Sequence, residues 1–225
     1  MPKAVIFDVD GTLIDSVDLH AKAWQDAFSE YSRTIAFDDI RSQIGKGGDQ
    51  LLPVFLSKDD IAAFGEALEK RRGAILKERY LSRVQAFPRV RALFEHMQAE
   101  GLDIALASSA KEDELETYKK VAHIEDLIDE QTSSDDAESS KPDHDIFLAA
   151  LKRLGNPDPR NVIVVGDTPY DMEAARKAGL RTIGVLCGGF PEDSLRKAGC
   201  IAIYQDPADL LARYESSPLA EESAL

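Results

Sequence analysis

The sequence predicts an α/β protein in which helices cover both faces of a mostly parallel β-sheet, with a second, helical segment inserted near the N-terminus. Three short apolar runs support the sheet: Ala4–Phe7, Asp103–Ala107 and residues 161–165. Runs of this length and composition are typical of buried parallel strands. Each run is followed by polar residues and then by a segment with helical periodicity. This alternation predicts a three-layer α/β/α core.

The inserted segment begins where apolar residues from Leu19 to Tyr31 recur on one helix face. A second helix is expected at residues 38–44, and Ser57 has the position of a helix cap before a long charged helix. Strand–helix alternation resumes after Pro88. We therefore predict a discontinuous core domain, residues 1–15 and 88–225, and a helical cap domain, residues 16–87.

The remaining core elements follow from the same patterns. Helices are expected at 90–100 and 169–178, each closed by a glycine, and strands near 182–186 and 201–204. The acidic stretch 126–138 is expected to be a solvated loop rather than a metal site. The tail, residues 215–225, is expected to be frayed or disordered.

The most informative motif is Asp8-Val9-Asp10-Gly11-Thr12, directly after the first apolar run. Gly11 favours a turn, and two carboxylates at the carboxyl end of a strand lie in the crevice where open α/β sheets bind ligands. One carboxylate can attack while the other moves a proton, and together they can hold a divalent cation. The motif therefore predicts phosphoryl transfer through an aspartyl-phosphate. A polar turn is the simpler alternative, whereas an EF-hand loop lacks its fifth acidic position, glycine and closing glutamate in register.

Three further motifs favour the enzyme over the polar turn. Ser108 and Ser109 end the second apolar run, and Lys141 is a lone cation before a predicted helix. The third run ends in Gly166-Asp167-Thr168-Pro169-Tyr170-Asp171. Each motif is weak alone, but four of them in this order, at strand ends, are specific.

With these four motifs the chain resembles the haloacid dehalogenase superfamily, in particular its phosphatase and β-phosphoglucomutase-like branch, which has a helical cap on a Rossmann-like core. The resemblance extends from Lys3 to about Leu211. It implies that Asp8 is the nucleophile and that Asp10 is the general acid and base. It also implies a Mg²⁺ cofactor, held by the carboxylates of Asp8 and Asp167 and by the backbone carbonyl of Asp10.

The other motif residues take roles that phosphoryl transfer requires. A transferring phosphoryl group spreads negative charge over three oxygens, which a metal and protein donors must neutralise. In this scheme Ser108 donates its hydroxyl to a phosphoryl oxygen, helped by the Ser109 N–H, and Lys141 screens the nucleophile from the incoming phosphate. Asp171 lies one helical turn after Asp167 and can reach the metal-bound waters or Lys141.

Substrate recognition is predicted to lie in the cap. The loop 44–50 places Lys46 among three glycines, of which Gly47 follows it directly, so the backbone can approach a ligand and one cation can meet an anionic group. A flexible connector with a solvated lysine is the competing interpretation. His20 occupies the place of a histidine in the phosphoglucomutases that the chain resembles. It is expected either to touch Asp10 or its hinge, or to be purely structural.

Asp10 and the fourth motif distinguish the chain from several alternatives within and outside the superfamily. Phosphonoacetaldehyde hydrolases have a small residue at the position of Asp10, and dehalogenases dispense with the second aspartate and with magnesium. Sugar-phosphate mutases carry Glu-Asp where this chain has Gly166-Asp167, so a phosphatase is preferred and a mutase is the alternative. The alternative from a different class is a non-catalytic receiver or binding module phosphorylated on aspartate, which needs no cap.

Composition limits the partners. With 41 acidic and 27 basic residues the formal charge is −14, which argues against nucleic acid. No apolar stretch is long enough to cross a membrane, no signal peptide is visible, and Cys187 and Cys200 are expected to be reduced packing residues. We therefore expect a cytoplasmic enzyme that acts on a small phosphorylated metabolite, as a monomer or a weak homodimer.

Overall fold

The computed structural model describes residues 2–220, and its strands form two sheets. In chain order the strands are β1 (Ala4–Phe7), β2 (Ile14–Asp15), β3 (Gln85–Ala86), β4 (Asp103–Ala107), β5 (Glu130–Thr132), β6 (Val162–Gly166), β7 (Arg181–Val185) and β8 (Ala202–Tyr204). Six of them form a parallel sheet in the order β5-β4-β1-β6-β7-β8. This arrangement confirms the predicted α/β class. Because β1 lies between β4 and β6, the carboxyl ends of these three strands meet at one edge.

Helices account for most of the remaining chain. They are α1 (Val17–Glu30), α2 (Phe37–Arg41), α3 (Gly48–Phe55), α4 (Lys58–Asp60), α5 (Glu66–Ile75), α6 (Val90–Ala99), α7 (Glu112–Ala122), α8 (Asp145–Arg153), α9 (Pro169–Lys177), α10 (Glu192–Ala198) and α11 (Pro207–Ala212). Turns of π-helix, Ile61–Gly65 and Leu76–Tyr80, precede and follow α5. Within residues 2–220, no helix combines the length and apolar character that a bilayer crossing requires.

Helices cover both faces of the parallel sheet because successive strand residues point to opposite faces. In β1, Val5 and Phe7 belong to an apolar cluster with residues of α6, α7 and α11. Ala4 and Ile6 belong to a second cluster with residues of α8 and α9. All four side chains are no more than 1% exposed. The core is therefore the predicted three-layer α/β/α arrangement, buried on both faces of the sheet.

The insert, residues 17–83, is helical and has an apolar core of its own. It lies between β2 and β3, whose antiparallel pairing places Ile14 opposite Ala86 and brings the two ends of the insert together. Its helices pack around a cluster that includes Trp24, Phe28 and Leu68. The paired strands β2 and β3 therefore form the connection between the insert and the parallel sheet.

Two sequence expectations are wrong. The acidic stretch 126–138 is not only a loop, because it contains β5, whose Thr132 is buried and pairs with Ala107 of β4. A strand of three residues within a run of charges has too little pattern to be recognised. The tail is not frayed over residues 215–220: Ser217 and Leu219 are fully buried, and Leu219 belongs to the apolar cluster that includes residues of α6. Residues 221–225 of the expected tail lie outside the described residues.

The packing of the tail can be tested by truncating one side chain. Replacing Leu219 by Ala should destabilise the protein by about 2–4 kcal/mol, because it removes buried methyl groups and leaves a cavity. The measurement is urea unfolding at equilibrium. The control is Leu148→Ala on α8, where the side chain is 43% exposed and the change should be within about 0.5 kcal/mol. Equal, small effects of both substitutions would show that the tail does not belong to the core.

Candidate active site

Asp8 and Asp10 lie at the carboxyl end of β1, where the chain turns sharply. Gly11 makes this turn with φ +86°, a conformation that side chains of L-residues rarely adopt. A Cβ atom at Gly11 would lie 2.4 Å from Oδ2 of Asp167. Glycine therefore also allows the loop after β1 to pack directly against the loop after β6, which brings the first and fourth motifs together.

Lys141 reaches this edge from the segment between β5 and α8 and is fully buried. Its Nζ donates to Asp8 Oδ1 at 2.5 Å and to the Ala107 carbonyl at 3.0 Å, and it lies 2.8 Å from Asp171 Oδ1. Burial alone would lower the pKa of Lys141, but the charges of Asp171 and Asp8 outweigh it and hold that pKa above its ordinary value. The amine is therefore charged, and it fixes the direction of the Asp8 carboxylate.

Asp8, Asp167 and Asp171 form a buried acidic cluster in which one oxygen of each lies within 4.8 Å of the others. The Thr12 hydroxyl lies 3.1 Å from both Asp8 Oδ2 and Asp167 Oδ1 and can donate to one of them at a time. Among the described residues, Oδ2 of Asp167 is buried without a hydrogen-bond partner. Hard divalent cations such as Mg²⁺ prefer oxygen ligands. This group of carboxylates, with one oxygen that has no hydrogen-bond partner, therefore suits such a cation.

The pKa values of the carboxyl groups in this cluster also indicate that the cluster suits a cation. Burial raises the pKa of Asp8 from 3.8 to about 7, although the Lys141 charge opposes the shift. Burial, and after it the charge of Asp8, raises the pKa of Asp167 well above its ordinary value. Both shifts have the same origin, since one lysine does not neutralise three buried carboxylates. Added positive charge at this position would favour the ionised form of both groups.

Asp10 has a different environment from Asp8. Its Oδ1 accepts from Ser16 Oγ at 2.5 Å and lies 2.9 Å from Nε2 of His20. Burial would raise the pKa of Asp10, but the charge and hydrogen bond of His20, with the hydrogen bond from Ser16, outweigh it and hold that pKa below its ordinary value. Of the two outcomes expected for His20, the structure shows the contact with Asp10. The pKa values of Asp8 and Asp10 are therefore displaced in opposite directions.

The remaining motif residues lie around the same edge. Ser108 is fully buried, and its Oγ accepts from a backbone N–H two residues further along the chain, while Ser109 lines the adjoining cavity. Of the two partners expected for Asp171, the structure shows Lys141. Its other carboxylate oxygen, Oδ2, accepts from the Thr168 N–H at 3.0 Å and the Thr168 hydroxyl at 2.7 Å. These bonds cap α9 and hold Asp171 against Lys141.

A cavity of about 220 Å³ lies between the core and the insert and opens onto Asp8 and Asp10. This volume suits a small phosphorylated molecule. The cavity wall from the insert includes Trp24, Glu69 and Arg72 in addition to the glycine-rich loop.

The loop 44–50 packs closely on the core. A Cβ atom at Gly47 would lie 2.0 Å from Ser140 Oγ, so only glycine fits this approach. Lys46 also lines the cavity, but its Nζ donates to Gln43 Oε1 at 2.6 Å and lies 4.6 Å from the centre of the Tyr170 ring. Lys46 is therefore neither the solvated lysine of the competing interpretation nor an unengaged cation.

Arg72 is a residue of the cavity that the sequence interpretation missed. Its guanidinium lies 5.2 Å from the centre of the Trp24 ring, and Nη1 lies 3.9 Å from Oε2 of Glu114. Among the described residues, Arg72 Nε, Arg72 Nη1 and Glu114 Oε2 are buried without a hydrogen-bond partner. Leu68, Arg72 and Ile75 are spaced four and three residues apart, which places Arg72 on the buried face of its helix. This spacing could have indicated from the sequence that Arg72 is buried. The pattern is hard to recognise because the neighbouring residues are charged.

Comparison with known proteins agrees with this geometry. Residues 5–185 match the model of the haloacid dehalogenase-like hydrolase family. The chain is 29% identical over 210 residues to the phosphorylated carbohydrates phosphatase of Thermotoga maritima, covering 93% of this chain and 96% of that protein. It is 28% identical over 202 residues to phosphoglycolate phosphatase of Pseudomonas syringae pv. tomato, covering 84% of this chain and 71% of that protein. A crystal structure of a hydrolase from Pseudomonas syringae shares 31% identity and has a TM-score of 0.86, covering 95% of this chain and 98% of that chain.

The family match spans most of the chain and includes all four strand-end motifs. The resemblance stated from those motifs is thereby confirmed, and the alternative of a non-catalytic receiver or binding module is wrong. The chain is an enzyme and belongs to the haloacid dehalogenase-like hydrolase family.

Proposed function

We propose that this chain is a Mg²⁺-dependent phosphatase that hydrolyses a small phosphomonoester, of the phosphoglycolate or sugar-phosphate type, through an aspartyl-phosphate on Asp8. The observation that carries the proposal is the position of the Asp8 carboxylate, which Lys141 orients beside Asp167 at the floor of a small cavity. The substrate class is supported by the names of the two phosphatases to which the chain is similar. Residues 16–87 act in this proposal as the cap over the site.

The reaction has two steps that use Asp8 and Asp10 in turn. An Asp8 oxygen attacks phosphorus, the bond from phosphorus to the substrate's bridging oxygen breaks, and Asp10 gives its proton to that oxygen. Asp10 then takes a proton from water, whose oxygen attacks phosphorus and displaces Asp8, so that inorganic phosphate leaves. The hydrogen bonds from Ser16 and His20 both involve Oδ1 of Asp10, which favours Oδ2 as the oxygen that carries the proton.

The charge balance of the site assigns the other groups. Bound Mg²⁺, held by the carboxylates of Asp8 and Asp167 and the Asp10 carbonyl, would supply positive charge that lowers the pKa of Asp8 and neutralises phosphoryl oxygens. Lys141 adds the protein's own charge beside the nucleophile, and the Ser108 hydroxyl and Ser109 N–H donate to the phosphoryl oxygens. The negative charge of the substrate favours the protonated form of Asp10 that the first step requires.

The alternative of a sugar-phosphate mutase is disfavoured by the space around Gly166. A Cβ atom at this position would lie 2.7 Å from Cβ and 2.8 Å from Cγ of Asp171. Asp171 cannot move freely, because Lys141 and Thr168 hold its carboxylate. The glutamate that such mutases carry here therefore does not fit beside Asp171 in this arrangement, and the extra carboxylate near the metal is absent.

The covalent mechanism predicts that Asp8→Asn reduces turnover of p-nitrophenyl phosphate to background, because the substitution removes the nucleophilic charge and one metal ligand. Wild-type protein quenched in acid during turnover should carry one phosphoryl group on Asp8 by mass spectrometry. The control is Asp193→Asn on the exposed surface of α10, which should behave as wild type. Substantial activity of Asp8→Asn would contradict the mechanism.

The acidic cluster predicts a pH-dependent stabilisation by Mg²⁺. Because burial raises the pKa of Asp8 from 3.8 to about 7, the metal-free folded protein binds more protons than the unfolded chain between these values. The contribution of Asp8 to the free energy of unfolding therefore falls as pH rises from about 4 to about 7. Mg²⁺ at about 100 times its Kd should add about 2.7 kcal/mol, or roughly 5–10 °C in Tm, at about pH 8. The rise should be smaller at about pH 5, where protons compete for the same oxygens.

Two variants serve as the controls for this melting experiment. Asp167→Asn should abolish the Mg²⁺-induced rise in Tm, because it removes a ligand carboxylate. Asp10→Asn should retain the rise, because its proposed ligand is the backbone carbonyl, while its turnover falls about 10²–10⁴-fold with the loss of proton transfer. The metal assignment fails if Asp167→Asn keeps the rise or if Asp10→Asn loses it to the same extent.

Arg72 predicts a selective effect on substrate recognition, because it lines the cavity wall and its guanidinium makes no hydrogen bond to Glu114, 3.9 Å away. On the best substrate from a panel of phosphoglycolate and sugar phosphates, Arg72→Ala should lower kcat/KM by roughly 1.5–3 kcal/mol, the range for a hydrogen bond to a charged group. Hydrolysis of p-nitrophenyl phosphate, which offers no such group, should change little. Lys46→Ala is the comparison, with a smaller selective effect because Gln43 and Tyr170 already engage Lys46. Equal losses on both substrates would assign Arg72 to packing of the insert.

A further inference from the structure

His20 is held from two sides by groups of the core. Its Nε2 lies 2.9 Å from Oδ1 of Asp10 and 2.9 Å from the hydroxyl oxygen of Tyr118. His20 belongs to α1 of the insert, Asp10 to the loop after β1, and Tyr118 to α7, so one ring nitrogen joins three separate segments. His20 is 7% exposed and Tyr118 is 1% exposed. The hydrogen bond between His20 and Tyr118 is therefore formed away from water, where it is electrostatically stronger.

The chemistry of the three groups determines where the proton lies. An ionised carboxylate only accepts hydrogen bonds, so the contact with Asp10 requires a proton on Nε2 of His20. The Tyr118 oxygen lies at the same distance from this N–H and is its second acceptor. A phenol is neutral near pH 7, so the Tyr118 hydroxyl keeps its own proton while its oxygen accepts. The Asp10 and Tyr118 oxygens lie at equal distances from Nε2. Together they restrict rotation of the imidazole ring more than Asp10 alone would.

This arrangement has a consequence for Asp10. Ser16 and His20 both contact Oδ1 of Asp10, and the contact from His20 is kept only while the imidazole keeps its orientation. If the ring rotates, Asp10 loses one of the two contacts that distinguish its oxygens. The orientation of the proton-carrying Oδ2 then becomes less defined, and proton transfer is sensitive to such displacements.

We propose that Tyr118 is a positioning residue for the general acid and base: it holds His20 in the orientation that fixes Oδ1 of Asp10 and leaves Oδ2 to exchange the proton. The inference rests on the proposed function, because it concerns the same proton transfer. Tyr118 lies on the core and His20 on the insert, so the group is complete only when the insert is seated on the core. Seating of the insert and proton transfer by Asp10 are therefore coupled through this contact.

The test compares two substrates that differ in their need for a general acid. Benzyl phosphate releases an alcohol, whose oxygen must be protonated as it leaves, whereas p-nitrophenyl phosphate releases a stable phenolate that needs little help. The measured quantity is kcat/KM, which reports the steps up to the first irreversible one and therefore the transfer to Asp8. Tyr118→Phe should lower kcat/KM by about tenfold for benzyl phosphate, a part of the 10²–10⁴-fold typical of a general acid. For p-nitrophenyl phosphate it should change kcat/KM by less than about threefold.

A matched control removes a buried tyrosine hydroxyl elsewhere. Tyr214 is 3% exposed, and its hydroxyl has no hydrogen-bond partner among the described residues, so Tyr214→Phe should leave both substrates unchanged. His20→Ala should show the same selective loss on benzyl phosphate as Tyr118→Phe. In the His20→Ala background, Tyr118→Phe should add nothing, because Tyr118 acts through His20. Both variants remove contacts without adding volume, and thermal melting verifies that they fold.

The possible outcomes separate this inference from the proposed function. Equal losses on both substrates, no loss on either, or additive effects of Tyr118→Phe and His20→Ala would overturn the positioning role of Tyr118. Asp10→Asn is the reference for the reaction itself and should show the largest selective loss on benzyl phosphate. If Asp10→Asn is unimpaired on benzyl phosphate, the acid/base assignment fails and the role of Tyr118 fails with it. If Asp10→Asn is impaired but Tyr118→Phe is not, only the inference about Tyr118 fails.

Discussion

The contact between the Lys141 amine and two carboxylates is the interaction on which the candidate site depends. A fully buried charge is stable only when it is paired and hydrogen-bonded, and removing one partner of such a pair typically costs about 3–5 kcal/mol. Lys141 meets this condition through Asp8, Asp171 and the Ala107 carbonyl. The same amine therefore sets the direction of the Asp8 carboxylate, the proposed nucleophile, and the position of the first turn of α9. Two motifs far apart in the chain are organised by one side chain.

The excess of carboxylates over amines gives the cluster its chemical character. Three buried acids lie around one lysine, and the apolar strands that end just before Asp8 and Asp167 help to exclude water that would otherwise screen them. The raised pKa values of Asp8 and Asp167 express first their burial and then this lack of positive charge. A site of this kind favours a bound cation, in agreement with the proposed metal-dependent reaction. The electrostatic properties of the polar site therefore depend on the apolar sheet that buries it.

The insert completes the site through polar contacts at its edge with the core. The Ser140 N–H donates to Oδ2 of Asp49 at 3.1 Å, and the Tyr170 hydroxyl donates to the Ser42 carbonyl at 2.7 Å. Hydrogen bonds between such partly exposed groups contribute modestly to stability. They hold the insert in register with the cavity while each contact stays weak enough to be broken and reformed. In the proposed function, substrate recognition then depends on the inner wall, where Arg72 lies against Trp24.

The sequence by itself determined the class of fold and the chemistry at the strand ends. Apolar runs predict buried parallel strands because both faces of such a sheet are covered, and a motif such as Asp8 to Thr12 can be recognised because its residues are adjacent in the chain. The same local information separates the helical insert from the core. It failed for β5 and for the tail around Leu219, where a few residues are buried by contacts with distant segments rather than by a repeating pattern.

Only the tertiary structure decided which side chains complete the site. Arg72 is surrounded by charged neighbours in the sequence, and the hydroxyl of Tyr118 meets His20 across 98 residues. Neither contact leaves a periodic or compositional signal, because each depends on how two helices are placed relative to one another. The contact of Lys46 with the Tyr170 ring depends on tertiary packing in the same way. So does the contact of Asp171 with Lys141 rather than with another partner. Local sequence specifies elements and the residues at their ends, whereas distances between elements are fixed only when the core and the insert pack.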